Sequence, residues 1–361
     1  MTEKDFVPSD YKNGVLEGRF TWKAPSNIAL VKYWGKDKEQ VPANPSISLT
    51  LNNCATTTTV TFSKLGGSNE NPSFDFFLDG NPKPDFKPKI TTFFQRIGPY
   101  LPFLEKYHIK IETSNSFPHS SGIASSASGM AALALCLMGM EKKLDPGMQE
   151  AHFYQKASFL ARLGSGSACR SIKGSLVQWG RHLDTVGSSN LYGVEYPYEV
   201  HPLFSELQDT ILLVDKGSKQ VSSSLGHQLM NGHPFAERRF LQAHQNLTEL
   251  RTVLADGNVQ RFFEIVEGEA LALHAMMMTS SPYFILMKPN TLEIINRIWA
   301  FRERTGGQLC FTLDAGANVH LLYPAVEKEN IGSFIERELA MFCENGHYIN
   351  DNVGSGAVQL D

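Results

Sequence analysis

The stretch Phe117–Gly129, F-P-H-S-S-G-I-A-S-S-A-S-G, combines residue types suited to holding a phosphate: a loop of small side chains that runs straight into an apolar helical segment. Small residues let the backbone approach an anion, the first N–H groups of the helix donate to it, and the helix dipole adds roughly half a positive charge. Ser120, Ser121, Ser125, Ser126 and Ser128 supply hydroxyls that also suit a magnesium ion. The same composition describes a small-residue helix packed tightly on a sheet, so this segment alone does not decide its chemistry.

Three further segments put polar groups where a plain core would not want them. In A-P-S-N-I-A-L-V-K-Y-W-G-K, residues 24–36, Lys32 interrupts a strand-like apolar run and must reach the surface or find an anion. Tyr33, Lys36 and Lys38 stand close by, which makes this strand end a candidate anion site. In G-S-G-S-A-C-R-S, residues 164–171, the planar fork of Arg170 suits a carboxylate or phosphate, and Ser165 and Ser167 can donate from a turn. The alternative there is a surface turn with an ordinary ion pair. In F-T-L-D-A-G-A-N, residues 311–318, Asp314 ends an apolar strand before a glycine turn. It either caps the turn or faces the anion site as a base, the latter requiring a cation such as Lys32 beside it.

The chain that must position these groups has 361 residues, 42% hydrophobic and 19% charged, enough for a sizeable core in two domains or one bilobed unit. A formal charge of -4 with dispersed lysines and arginines gives no nucleic-acid surface, whereas a small anion needs only a local basic cluster. Five scattered cysteines argue against a disulfide framework and against zinc, and fit a reducing compartment. The N-terminus has no apolar targeting segment, and the apolar run Met130–Met140 is too short to cross a bilayer, so a cytoplasmic protein is expected. Walker A, G-x-G-x-x-G, H-E-x-x-H, C-x-x-C and G-x-S-x-G patterns are absent from the sequence, and no histidine receives a role; His274 reads as a satisfied core residue.

Residues 1–19 read as a polar extension, with ordered structure expected from Phe20. Strand-like text follows to Phe62 and again over 74–78 and 108–113, with helices expected over 89–100, 124–140 and 149–163. Past a boundary near 196–202, helices are expected over 234–254, 259–277, 291–304 and 331–342, with strands at 210–214, 308–313 and 320–323. Strands and helices mix without strict alternation, which predicts an α+β fold.

Taken together, the four segments resemble the diphosphomevalonate decarboxylase family of the GHMP kinase superfamily, over about residues 20–355. That family reads A-P-x-N-I-A-x-x-K-Y-W-G-K, A-S-S-A-x-G, G-S-G-S-A-C-R-S and D-A-G-x-N in this order. The resemblance implies a ribosomal-protein-S5-like N-terminal lobe over 20–200 and a ferredoxin-like C-terminal lobe over 201–361, with the active site in the cleft between them. It implies ATP-dependent decarboxylation of mevalonate 5-diphosphate to isopentenyl diphosphate, releasing ADP, phosphate and CO2, within the mevalonate pathway, by a homodimer.

By the same resemblance, Asp314 would act on the tertiary hydroxyl with Lys32 holding it ionised, and Arg170 and Asn27 would grip the carboxylate. Tyr33, Lys36, Ser165 and Ser167 would bind other substrate oxygens. The loop carrying Ser120, Ser121, Gly122, Ser125 and Ser126 would cradle the ATP phosphates, with Mg2+ on those phosphates and on Ser125 or Ser126. Three departures stand out: no arginine stands shortly before Phe74–Leu78, where the family often carries one that helps bind the substrate diphosphate, Ala317 replaces the usual proline, and P-H-S-S-G replaces P-T-A-A-G. Decarboxylation of mevalonate 5-phosphate or 3,5-bisphosphate, and phosphorylation without decarboxylation, stay open as alternatives. A non-catalytic nucleotide-binding regulator is disfavoured by Asp314, Lys32 and Arg170 standing together.

Overall fold

Two long strands, β1 (Glu17–Val31) and β2 (Ser46–Lys64), pair antiparallel and form the spine of the protein. The computed structural model describes all residues except 10, 12–13, 38–39, 67–71, 119–122 and 218–222. After β3 (Phe74–Leu78) and β4 (Asn81–Pro82) come α1 (Lys87–Ile97), β5 (Tyr107–Asn115), α2 (Ser125–Leu144), α3 (Glu150–Gly164), β6 (Leu176–Trp179) and β7 (Val194–Glu195). The second half runs α4 (Pro202–Ser205), β8 (Gln208–Leu212), α5 (Ser223–Gln228), α6 (Ala236–Asp256), α7 (Val259–Met278) and α8 (Pro289–Thr305). It ends with β9 (Cys310–Thr312), β10 (Val319–Tyr323), α9 (Lys328–Phe334), β11 (Tyr348–Asn352) and β12 (Val358–Gln359).

The first sheet has eight strands, ordered β12-β1-β2-β5-β3-β4 with β6 and β7 branching from β2; the second has four, ordered β11-β8-β10-β9. This is the α+β arrangement expected. Helix α2 lies against the first sheet with most of its surface buried, which its Ala, Ser and Gly content permits. A side chain at Gly139 would sit 2.6 Å from the Phe20 ring, so the close approach of helix and strand depends on that glycine.

An apolar cluster bridges the two sheets. Ile28 and Leu30 of β1 and Leu49 of β2 pack with Leu247 and Leu250 of α6 and Phe262 of α7. The far half of β1 is therefore buried against elements from the second half of the chain, and it carries the site-forming segment to that junction. Its register against β2 shifts between Pro25 and Asn27 and again between Ala29 and Val31, irregularities of the kind that re-aim side chains at the end of a strand.

Ordered structure starts earlier than Phe20. A 3-10 turn over Glu3–Phe6 buries Phe6 and stacks it on Phe159 at 4.4 Å, while Glu3 accepts from Arg162 at 3.4 Å. The polar text of the extension hid two aromatic anchors, Phe6 and also Tyr11, whose ring meets Phe103 at 5.8 Å. The expected helix over 331–342 is helical throughout but changes pitch: α9 ends at Phe334 and continues as a π-helical stretch over Ile335–Leu339 and a 3-10 turn over Ala340–Phe342.

Candidate active site

Lys32 follows the last residue of β1 and is almost wholly buried, with its ammonium 3.1 Å from Asp314 Oδ1. Burial pushes the Lys32 ammonium down from its ordinary value, while Asp314 and Glu269 oppose that shift. The backbone around it is pinned from both sides. Asn44 donates to the Lys32 carbonyl at 2.9 Å, and the Lys32 N–H donates to Glu269 Oε2 at 2.8 Å. Glu269 itself is clamped by Arg239 and by Asn246, whose amide donates at 2.6 Å. A buried network on α6 and α7 thus positions a lysine at the end of β1.

Asp314 comes from the turn after β9, where side chains hold the backbone. His274 Nε2–H donates to the Asp314 carbonyl at 3.2 Å, Thr291 donates to the Ala317 carbonyl at 2.7 Å, and the Asp215 N–H donates to Asn318 Oδ1 at 2.9 Å. His274 is buried, as its apolar sequence context predicted, and burial lowers its pKa to about 4, so the ring is neutral. The turn tolerates Ala317 because these bonds set its shape.

Arg170 lies in a 3-10 turn over Gly166–Ser171, within the stretch that the sequence reads as a turn, and it is buried rather than at the surface. Its Nη1 donates to Ser46 Oγ at 2.6 Å, its guanidinium lies over the Trp179 ring at 5.8 Å, and its buried Nε has no partner among the described residues. The turn is tight enough that a side chain at Gly166 would sit 2.9 Å from both Trp179 and the Tyr33 hydroxyl. Small residues in G-S-G-S-A-C-R-S are there for this approach.

A cleft of about 390 Å³ collects these groups: Lys32, Tyr33, Lys36, Ser126, Ser165, Ser167, Arg170 and Asp314 all line it. Ser126 and Ser165 share a hydrogen bond at 3.3 Å across the wall. Asn27 is not among the lining residues; its amide donates to Ser171 Oγ at 2.7 Å and to the Ser167 carbonyl at 3.3 Å, so it braces the Arg170 turn. Ser125 begins α2 without lining the cleft, and Ser128 is buried against Thr56 at 2.6 Å, turned to the sheet. Ser120, Ser121, Gly122 and Lys38 lie outside the described residues.

Sequence reasoning missed Lys89, Trp34, Gln40 and His227, which also line the cleft, and the Glu269–Arg239 clamp. Lys89 stands in the first turn of α1, in a polar run indistinguishable from surface text. Glu269 carried a readable signal, an acid among the apolar residues of α7 that ends up fully buried. With Lys36, Lys89 brings positive charge to the cleft, although no arginine stands shortly before β3.

The donor set suits a nucleotide's phosphates. Ala124 adopts the left-handed conformation at φ 43° as the chain enters α2, and the exposed Ser126 stands in the first turn of that 20-residue helix beside Ser165. Among the described residues no cluster of three or more His, Cys, Asp or Glu side chains is arranged for a metal, and no helix is long and apolar enough to cross a membrane. All five cysteines are free and buried.

An α+β fold whose cleft pairs a buried lysine with an aspartate, walled by serines and cations, defines an enzyme of the GHMP kinase type. Residues 24–190 match the diphosphomevalonate decarboxylase-like N-terminal domain and residues 210–355 the mevalonate 5-diphosphate decarboxylase C-terminal domain. The chain belongs to the diphosphomevalonate decarboxylase family. It is 29% identical to the diphosphomevalonate decarboxylase of Aspergillus fumigatus over 95% of this chain and 87% of that one. The crystal structure of the mevalonate diphosphate decarboxylase from Staphylococcus aureus superposes with a TM-score of 0.81 at 28% identity, covering 96% of this chain and 99% of that one. A structure of MDDEF in complex with MVAPP, AMPPCP and magnesium gives 0.80 at 28% identity with the same coverage.

Proposed function

We infer that this protein catalyses the ATP-dependent decarboxylation of mevalonate 5-diphosphate to isopentenyl diphosphate, with release of ADP, phosphate and CO2, as a step of the mevalonate pathway. The observation that carries the reading is the Lys32–Asp314 pair at 3.1 Å in a cleft that also holds Arg170. Asp314 accepts the proton of the tertiary hydroxyl as that oxygen attacks the γ-phosphorus of ATP and ADP leaves. Lys32 supplies the counter-charge, held in place through Glu269. The C–O bond to the new phosphate then breaks, the bond between the carboxylate and its neighbouring carbon supplies the electrons of the alkene, and CO2 departs. Phosphate leaves where hydroxide would not.

Arg170 grips the carboxylate with its fork, and Asn27 acts on the same group by bracing the turn that carries Arg170. Tyr33, Lys36, Lys89, Ser165 and Ser167 hold the remaining substrate oxygens. ATP phosphates bind at the start of α2 with Ser125 and Ser126; the assignment of Ser120, Ser121 and Gly122 to the same phosphates rests on the family resemblance. Ser125 or Ser126 would help hold the Mg2+ that the ATP phosphates bring, which would supply charge neutralisation in a cleft where on the order of six negative charges meet even after the metal is counted. The division into lobes at 20–200 and 201–361 is supported by the two separate sheets, with β12 returning to the first. The working form is a cytoplasmic homodimer, which light scattering of the purified protein tests.

Product stoichiometry tests the reaction. One ADP, one phosphate and one CO2 per mevalonate 5-diphosphate is the expected outcome. A stable 3-phosphorylated product without CO2 would establish a kinase instead, and a preference for the 5-phosphate or the 3,5-bisphosphate would reassign the substrate.

A further inference from the structure

His227 lines the cleft from α5, and its ring is wedged between the Tyr33 ring at 4.3 Å and the Trp34 ring at 4.5 Å. The wedge is built by neighbouring glycines. A side chain at Gly226 would lie 2.6 Å from the Trp34 ring, so α5 comes this close only with glycine there. Gly35, at φ +104° and with Phe240 2.8 Å from where a side chain would start, aims its N–H at His227 Nδ1, which accepts at 3.0 Å. An Nδ1 that accepts from a backbone N–H carries no proton, so the neutral ring bears its proton on Nε2. Burial, followed by Lys36 and Arg170, keeps the imidazole pKa well below its ordinary value, which agrees with that tautomer. The Nε2–H has no hydrogen-bond partner among the described residues.

A buried ring fixed on both faces and at one nitrogen has its other nitrogen pre-oriented, and in this cleft the ligand is an anion. We propose that His227 is a substrate-binding residue whose Nε2–H donates to a phosphoryl oxygen of the substrate's diphosphate, beside Tyr33 and Lys36. The proposal rests on the function inferred above and deepens it. A neutral donor recognises the phosphate chain by direction without adding charge next to Lys36 and Arg170, where a further cation would be repelled. It also gives the cleft a way to count phosphates in a chain that lacks an arginine shortly before β3.

His227→Phe keeps a flat ring between Tyr33 and Trp34 but removes the donor, and His227→Gln retains an N–H near the position of Nε2. The expected result is a KM for mevalonate 5-diphosphate raised about tenfold or more in His227→Phe, as for a lost hydrogen bond to a charged group, with the KM for ATP not following it. His227→Gln should recover part of that loss, and the preference for the 5-diphosphate over the 5-phosphate should shrink in His227→Phe. Equal losses on both substrates, or an unchanged preference, would overturn the proposal and make His227 a packing residue. Wild-type protein labelled with 15N-histidine gives a readout independent of how the variants fold: inorganic pyrophosphate should shift the His227 ring signals, and no shift at saturation would overturn it. If wild type released no CO2 from any mevalonate phosphate, the inferred reaction would fall, while the pyrophosphate titration would still judge His227.

Discussion

Two buried lysines each meet a carboxylate in this protein, in different settings. Lys156 of α3 pairs with Glu141 of α2 with both side chains 1% exposed, and the Tyr11 hydroxyl donates to the same Glu141 oxygen at 3.0 Å. Lys32 pairs with Asp314 across the junction of the two halves, with the lysine side chain 2% exposed and the aspartate 30%. Burial lowers both lysines from their ordinary values. The first pair is closed on all sides, so it can only hold two helices together. The second leaves its carboxylate open to a cleft, so the same chemistry becomes available to a ligand. Accessibility of one partner separates a closed staple from a pair that a ligand in the cleft can reach.

The sharpest way to break the comparison is to remove the carboxylate charge from each pair. Asp314→Asn should lower turnover by about 100- to 10,000-fold while leaving ATP binding and the melting temperature close to wild type. Lys32→Met should impair the same step, and the double variant should be little worse than the poorer single, because residues acting as one unit are not additive. Losses that multiply would mean the two act separately.

Glu141→Gln or Lys156→Met should show the opposite pattern. Each leaves a buried group without its partner and should cost about 3 to 5 kcal/mol in denaturant unfolding, with turnover per folded molecule retained. Glu141→Leu combined with Lys156→Met should recover most of that stability, since the closed pair has no role that apolar packing cannot fill. A large loss of turnover in the recovered double variant would erase the distinction.

Smaller effects sharpen the cleft side. Arg170→Lys keeps the charge but loses the fork, and should cost roughly 1.5 to 3 kcal/mol in kcat/KM. Wild-type kinetics would make the arginine a packing residue against Trp179. Burial, with Arg96 adding to it, lowers the Lys36 pKa to about 8. The ammonium binds anions and is lost as pH rises through that value, so kcat/KM should fall on the alkaline side of about 8. Lys36→Arg should flatten that limb of the profile; an identical limb would assign it to another group.

The motifs and the outline of the elements were legible because they are local. Helices α2, α3, α6, α7 and α8 followed from apolar periodicity within a residue or a few at each end, and the small-residue runs foretold close backbone approach. Asn27 shows where local reading stops: its motif position marked it for the substrate, and its hydrogen bonds instead run to Ser171 and the Ser167 carbonyl. Phe6 and Tyr11 were misjudged for a related reason, since isolated aromatics in polar text give no period from which burial can be inferred.

By itself the sequence determined that this is an α+β protein and marked residues 24–36, 117–129, 164–171 and 311–318 as segments with polar groups where a plain core would not want them, because residue type and spacing carry that information along the chain. Tertiary structure alone decided which of those groups meet. Lys32 and Asp314 are 282 positions apart, and a buried charge is tolerated only where another segment supplies its counter-charge. The same holds for Glu269 behind Lys32 and for His227 between Tyr33 and Trp34. Their roles come from neighbours that only the folded core brings within bonding distance.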